Sequence, residues 1–189
     1  YKHAIVQIDV RGSGGRGWKY RSPIYGGLVT VEVEDTLEAM QMVLDKYPRL
    51  DKHRVGVYGW SYGGTMAIAL AEKAPPSFFK CAIAGAPVTN FLYYWASYAE
   101  KYMGDAPPSG YTDLTRDVGA FNQTKLLLIH GLRDDRVHFR HSAVLAEALQ
   151  QADIPFEFMV YPNQDHYVMR NVSDHLEHLF DRFMTKCYE

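Results

Sequence analysis

The stretch "GVYGWSYGG", Gly56–Gly64, limits the folds open to this chain more than any other. Arg54–Tyr58 is a short β-rich run that leads into Gly59-Trp60-Ser61-Tyr62-Gly63, and Thr65–Lys73 reads as a helix stopped by Pro75-Pro76. A strand that turns into a helix around one serine requires small residues where the two elements meet, and Gly59, Gly63 and Gly64 supply them. Such a turn raises the hydroxyl above the end of a sheet, which is the setting of a nucleophile elbow. The Tyr62 N–H, at the start of the helix, faces the side where an oxyanion would develop.

The rest of the chain alternates in the same sense. Ala4–Val10, Cys81–Ala84, Leu126–Ile129 and Phe156–Tyr161 read as strands. A helical face recurs at Val33, Leu37, Met40 and Leu44, with the acids Glu32, Glu34 and Asp35 near its start and Pro48 beyond its end. His141–Gln151 and Val172–Lys186 read as further helices, the last with Leu176, Leu179, Phe180 and Phe183 on one face. Strands alternating with helices imply an α/β fold, a mostly parallel sheet covered on both faces. At 189 residues and 47% hydrophobic, the chain suits one folded domain. A net charge of −2 without a long Lys/Arg run gives no reason to expect nucleic acid. No apolar run is long enough to span a bilayer, and the opening "YKHAIVQIDV" reads as a strand rather than a signal peptide.

A serine nucleophile needs a base, and the base needs an orienting acid. These should follow in the order Ser, Asp, His at the carboxyl ends of later strands. Leu126–Ile129 runs into "HGLRDDRVHF", so Asp134 or Asp135 is the candidate acid, and Phe156–Tyr161 runs into "PNQDHYV", so His166 is the candidate base. Alternatively, the aspartates cap the next helix. Seven other histidines lack this chain position: His130 reads as a core residue, His138 as a neighbour of the site, and His141, His175 and His178 as solvated helix residues. "GSGGRG", Gly12–Gly17, has the spacing of a dinucleotide fingerprint, but "WKYRSPIYGG" follows where a helix should begin. His175, His178 and Asp174 lack a further metal ligand. We therefore expect neither a cofactor nor a metal. Cys81 and Cys187 are either two buried thiols or one disulfide, and Asn122 and Asn171 head the two N-x-S/T sequons.

"GWSYGG", "FKCAIAGAPV", "YYWASYAEKYMG", "LLLIHGLRDDRVHF" and "DH", in this order, resemble the catalytic domain of the prolyl oligopeptidase family, most closely the branch holding dipeptidyl peptidase IV and fibroblast activation protein. The resemblance runs from "VRGSG" and "EVEDTLEA" to "FMTKC". It implies an α/β-hydrolase fold and a serine peptidase that acts after a penultimate proline or alanine through an acyl-enzyme. Ser61 would be the nucleophile, Asp134 the acid and His166 the base, with the Tyr62 N–H in the oxyanion hole. Trp60, Val88, Tyr94, Tyr98 and Val137 would line an apolar proline pocket, and Arg136 would meet the substrate carbonyl one residue further on. The resemblance also implies a Cys81–Cys187 disulfide and a homodimer through the region of Phe139 and the last helix. With the sequons, it implies a secreted chain or a type II membrane-protein ectodomain. Three positions depart from the pattern of that branch: Arg136 stands for an asparagine, though prolyl oligopeptidase itself has arginine there, Phe91 for a tryptophan, and Thr65 for a tyrosine or similar residue. The family's β-propeller and first hydrolase strands have no counterpart in these residues, so residues 1–189 read as the C-terminal part of such a domain. An acylaminoacyl peptidase or carboxylesterase of the same fold is a second reading. A catalytically silent binding homologue, or an inactive fragment, is a third.

Overall fold

A computed structural model describes residues 3–104, 112–168 and 172–189. Four parallel strands form one sheet in the order β1 (Gly56–Trp60), β2 (Cys81–Gly85), β3 (Lys125–Gly131) and β4 (Glu157–Tyr161). Parallel neighbours require crossovers, and helices make them. The helices are α1 (Trp18–Arg21), α2 (Val31–Lys46), α3 (Tyr62–Lys73), α4 (Ala96–Met103), α5 (Arg140–Gln151) and α6 (Ser173–Tyr188).

The two-residue period of the strands divides the core in two. Ala82, Ala84, Leu126 and Leu128 face one side and pack with Val33 of α2, Ile68 and Leu70 of α3, and Leu145 and Leu149 of α5. Cys81, Ile83, Leu127 and Ile129 face the other and pack with Leu179 and Phe183 of α6. Strand β3 is buried from Leu126 onward, as its apolar run predicts. Cys81 and Cys187 form a disulfide that ties the start of β2 to the end of α6. The parallel sheet with helices on both faces is the expected fold class.

The expected strand at Ala4–Val10 does not form. Residues 3–10 have no strand assignment, and Ile5 is 93% exposed. A strand exists only through its partner's hydrogen-bond ladder, and β1, at one end of the sheet order, pairs with β2 alone. The segment is tied down instead by Arg11, whose guanidinium and backbone N–H both bond the Asp35 carboxylate on α2.

Candidate active site

Parallel pairing brings the carboxyl ends of all four strands to one edge. Trp60 lies beside Gly85, Gly85 beside Ile129, and Gly131 beside Tyr161. The loops carrying Ser61, Asp134 and His166 leave from that edge.

Ser61 takes φ 58° and ψ −124°, a conformation that costs a residue bearing a Cβ on the order of 1–3 kcal/mol. The surroundings hold it there: its N–H donates to the Gly85 carbonyl at 2.8 Å, and its own carbonyl accepts the Thr65 N–H at 3.1 Å. A Cβ at Gly59 would overlap the backbone of Gly63, and one at Gly64 would sit 2.6 Å from the Gly85 carbonyl oxygen. A Cβ at Gly63 would meet nothing within 4 Å, which corrects the expectation that all three glycines are needed for space. Helix α3 begins at Tyr62, so the Tyr62 N–H belongs to a first turn whose amides no helical carbonyl accepts.

Asp134 is buried, and both carboxylate oxygens are engaged. Oδ1 accepts the backbone N–H groups of Arg136 at 2.9 Å and Val137 at 2.8 Å. Oδ2 lies 2.7 Å from His166 Nδ1. Since the carboxylate only accepts, Nδ1 carries the proton and donates, leaving His166 Nε2 as the basic nitrogen. Burial would push the Asp134 carboxyl up, but hydrogen bonds from His130 and His166, then from the Val137 and Arg136 N–H groups, hold it well below the usual carboxylate range. Asp134 does not cap α5, whose N-cap is Phe139, and Asp135 is exposed.

Trp60 joins the two halves of the site. Its indole N–H donates to the His166 carbonyl at 2.7 Å, so the residue before Ser61 holds the His166 loop. Among the described residues, no hydrogen bond joins the Ser61 hydroxyl to the imidazole directly. Such contacts are often loose before substrate binds. Trp60 therefore belongs with the α6-side cluster, across the sheet from the tyrosines it was expected to join.

Val88 and Val137 are buried in the other cluster, and Tyr94, Tyr98 and Tyr62 pack against it. Tyr94 and Tyr98 meet edge to face, with centroids 5.2 Å apart. Burial pushes the Tyr98 hydroxyl up to about 12, with the nearby Tyr102, Tyr94 and Glu32 adding to the effect. A hollow of about 240 Å³ opens beside Phe91, Tyr94 and Met103. Another of about 360 Å³ lies at the opposite end of the sheet, near Lys80, Lys125 and Cys187, away from the titratable side chains just described. Arg136 is exposed, its guanidinium 5.1 Å from the centroid of the Tyr167 ring.

Three contributions escape sequence reasoning. Glu32, expected to serve the helix dipole, is buried, and its Oε1 accepts the Tyr62 hydroxyl at 2.5 Å. Thr65 bonds both sides of Val88: its hydroxyl donates to the Val88 carbonyl at 2.9 Å and accepts the Val88 N–H at 3.0 Å. His141, expected on a solvated helix face, is fully buried beside Tyr93 and Tyr94. Burial lowers it to about 4, with His130 and His138 acting in the same direction. The only sequence signal for His141 was its place at the start of a helix that follows a buried strand.

His138 is exposed on the Asp134 loop. His175 Nδ1 lies 2.8 Å from the Tyr161 hydroxyl, and among the described residues no group of three His, Cys, Asp or Glu could hold a metal ion. The Gly12–Gly17 run is followed by α1, a helix of only four residues, and among the described residues no paired strand precedes it. Asn122 is exposed, while Asn171 lies outside the described residues. Among the described residues, no helix is long and apolar enough to cross a membrane.

Comparison with known proteins gives a consistent picture. The sequence profile of the prolyl oligopeptidase family matches residues 3–189. Dipeptidyl peptidase family member 1 of Caenorhabditis elegans is 53% identical over 98% of this chain and 23% of its own length. Venom dipeptidyl peptidase 4 of Vespa velutina is 43% identical over 96% of this chain and 24% of its own length. The crystal structure of Porphyromonas gingivalis dipeptidyl peptidase 4 superposes with a TM-score of 0.82 at 30% identity, covering 95% of this chain and 26% of that one. The chain thus spans about a quarter of the length of the relatives it matches.

Proposed function

Because this chain belongs to the prolyl oligopeptidase family, we propose that it is the C-terminal part of the catalytic domain of a serine peptidase of the dipeptidyl peptidase IV type. The observation that carries the proposal is the coupling of a strained Ser61 elbow, through the Trp60 indole, to the His166 loop, where His166 is in turn paired with a buried Asp134.

In this mechanism His166 Nε2 takes the proton of the Ser61 hydroxyl as Oγ attacks the scissile carbonyl. Asp134 stabilises the imidazolium that forms. The Tyr62 N–H donates to the oxyanion, and its ring is steadied by Glu32. His166 then gives its proton to the leaving amine, and the acyl group stays on Ser61. Water attacks the acyl-enzyme, with His166 again taking a proton, and Ser61 is restored. No cofactor enters these steps.

Tyr94, Tyr98, Val88 and Val137 offer the proline ring or the alanine methyl group apolar, uncharged surroundings, which supports the specificity. Trp60 contributes by holding the His166 loop, and Arg136 remains the candidate for the preceding carbonyl. The disulfide supports an oxidising compartment, hence a secreted chain or an ectodomain, with glycans at Asn122 and Asn171. A homodimer through the Phe139 region and α6 belongs to the same proposal.

The test compares hydrolysis of Gly-Pro-anilide with that of a simple acyl ester by the full-length protein. A strong preference for the anilide, lost when the amino terminus is blocked, is the expected result. A preference for the ester would favour a carboxylesterase instead.

A further inference from the structure

Asp134 has a second histidine partner. His130, one residue from the end of β3 and 0% exposed, places Nε2 3.2 Å from Asp134 Oδ2, the same oxygen that meets His166. That nitrogen also lies 2.8 Å from the Val137 carbonyl, and Nδ1 lies 2.7 Å from the Ser142 hydroxyl on α5. Nε2 faces two oxygens that can only accept, so it carries the proton, and the Ser142 hydroxyl donates to Nδ1.

A buried imidazole needs two partners, and Ser142 and Val137 already supply them. The approach to Asp134 is surplus to that need. It fills the last acceptor direction of a carboxylate already held by Arg136 N–H, Val137 N–H and His166. The backbone of Val137 is held at both its polar groups, its N–H by Asp134 and its carbonyl by His130.

We propose that His130 is a positioning residue: its Nε2–H, with the tautomer set by Ser142, fixes the orientation of the Asp134 carboxylate and tempers the charge that Asp134 turns on His166. This inference rests on the triad reading given above. Among the described residues, the titratable groups around His130 are Asp134 on the loop that follows β3, His166 from the β4 loop and His141 from α5, with His138 and Arg136 on the exposed side of the Asp134 loop.

The test uses the full-length protein and two amides of different reach. In His130→Gln the amide nitrogen falls near the place of Nε2 and keeps the donor. In His130→Asn the polar atoms reach only the place of Nδ1, toward Ser142. The Asn variant should lose about ten- to a hundredfold in kcat, the rate equivalent of one hydrogen bond to a charged group, with KM nearly unchanged. The acid limb of its kcat/KM profile should move to higher pH, because the imidazolium then faces a fuller negative charge. The Gln variant should recover most of the rate and the original limb. Ser142→Ala keeps the imidazole but frees its tautomer, and should share the direction of both changes. It also serves if the His130 variants fail to fold. Wild-type activity that depends on His166 yet is indifferent to His130→Asn and Ser142→Ala overturns the inference alone. Equal losses in Asn and Gln with an unmoved acid limb also overturn it, because they mark packing only. Turnover that survives His166→Ala sinks the triad reading and this inference with it.

Discussion

Two segments of this chain carry the same local message and end differently. Ala4–Val10 and Leu126–Ile129 are both short, apolar runs of strand-forming residues. One is an exposed, unpaired stretch with Ile5 93% open to solvent. The other lies inside β3, hydrogen-bonded to β2 and β4, with Leu128 fully buried. The difference lies in neighbours, not propensity: strand preference is a preference for a pleated, covered place in a sheet. The buried strand also leads into the proposed acid Asp134, and a strand held on both sides fixes where its carboxyl end points. His130 and Asp134 inherit their positions from that.

The sharpest way to test this contrast is to disturb the end of β3. Asp134→Asn keeps the shape but removes the acceptor that holds His166 in its basic tautomer. Loss of about 10⁴-fold in kcat is expected, measured by steady-state kinetics of the full-length protein. A loss below tenfold would detach the chemistry from β3.

A smaller effect should appear in stability. Leu128→Ala should cost about 2–5 kcal/mol in denaturant unfolding, as large-to-small changes in packed cores do. Ile5→Ala in the same chain should stay within about 0.5 kcal/mol. Equal losses would mean that Ala4–Val10 is covered after all.

The buried region should also respond to pH through His141. Its folded pKa of about 4 lies below the ordinary 6.5, so the folded state binds fewer protons than the unfolded state between these values. Stability therefore falls as pH drops from 6.5 toward 4. His141→Gln should flatten that part of the profile, read as the urea midpoint against pH. An unchanged slope would place the acid sensitivity elsewhere.

Much of the architecture was legible in the sequence because the signals were redundant. Glycines, a strand and a helix converge on Ser61, chain order points to Asp134 or Asp135 and to His166, and the family resemblance singles out Asp134. Helix periodicity found the Leu179–Phe183 face of α6. What stayed hidden depended on contacts between distant elements. Glu32 looked like a first-turn acid, and only the packing of α2 beside α3 turns it toward Tyr62. Trp60 looked like a pocket wall, but its side of the pleat carries it to α6 and the His166 carbonyl. His141 looked solvated because one helix turn does not reveal which side the sheet covers. His130 read correctly as a satisfied core histidine, while its approach to Asp134 appears only when the loop is folded back.

The central claim is that Ser61 is a nucleophile activated by His166. Labelling the full-length protein with a fluorophosphonate probe tests it most directly, with Ser61→Ala and His166→Ala alongside. We expect covalent labelling that maps to Ser61, absent in Ser61→Ala, strongly slowed in His166→Ala and declining as the wild type is acidified. Undiminished labelling of the Ser61→Ala protein, or none of the wild type, would contradict it.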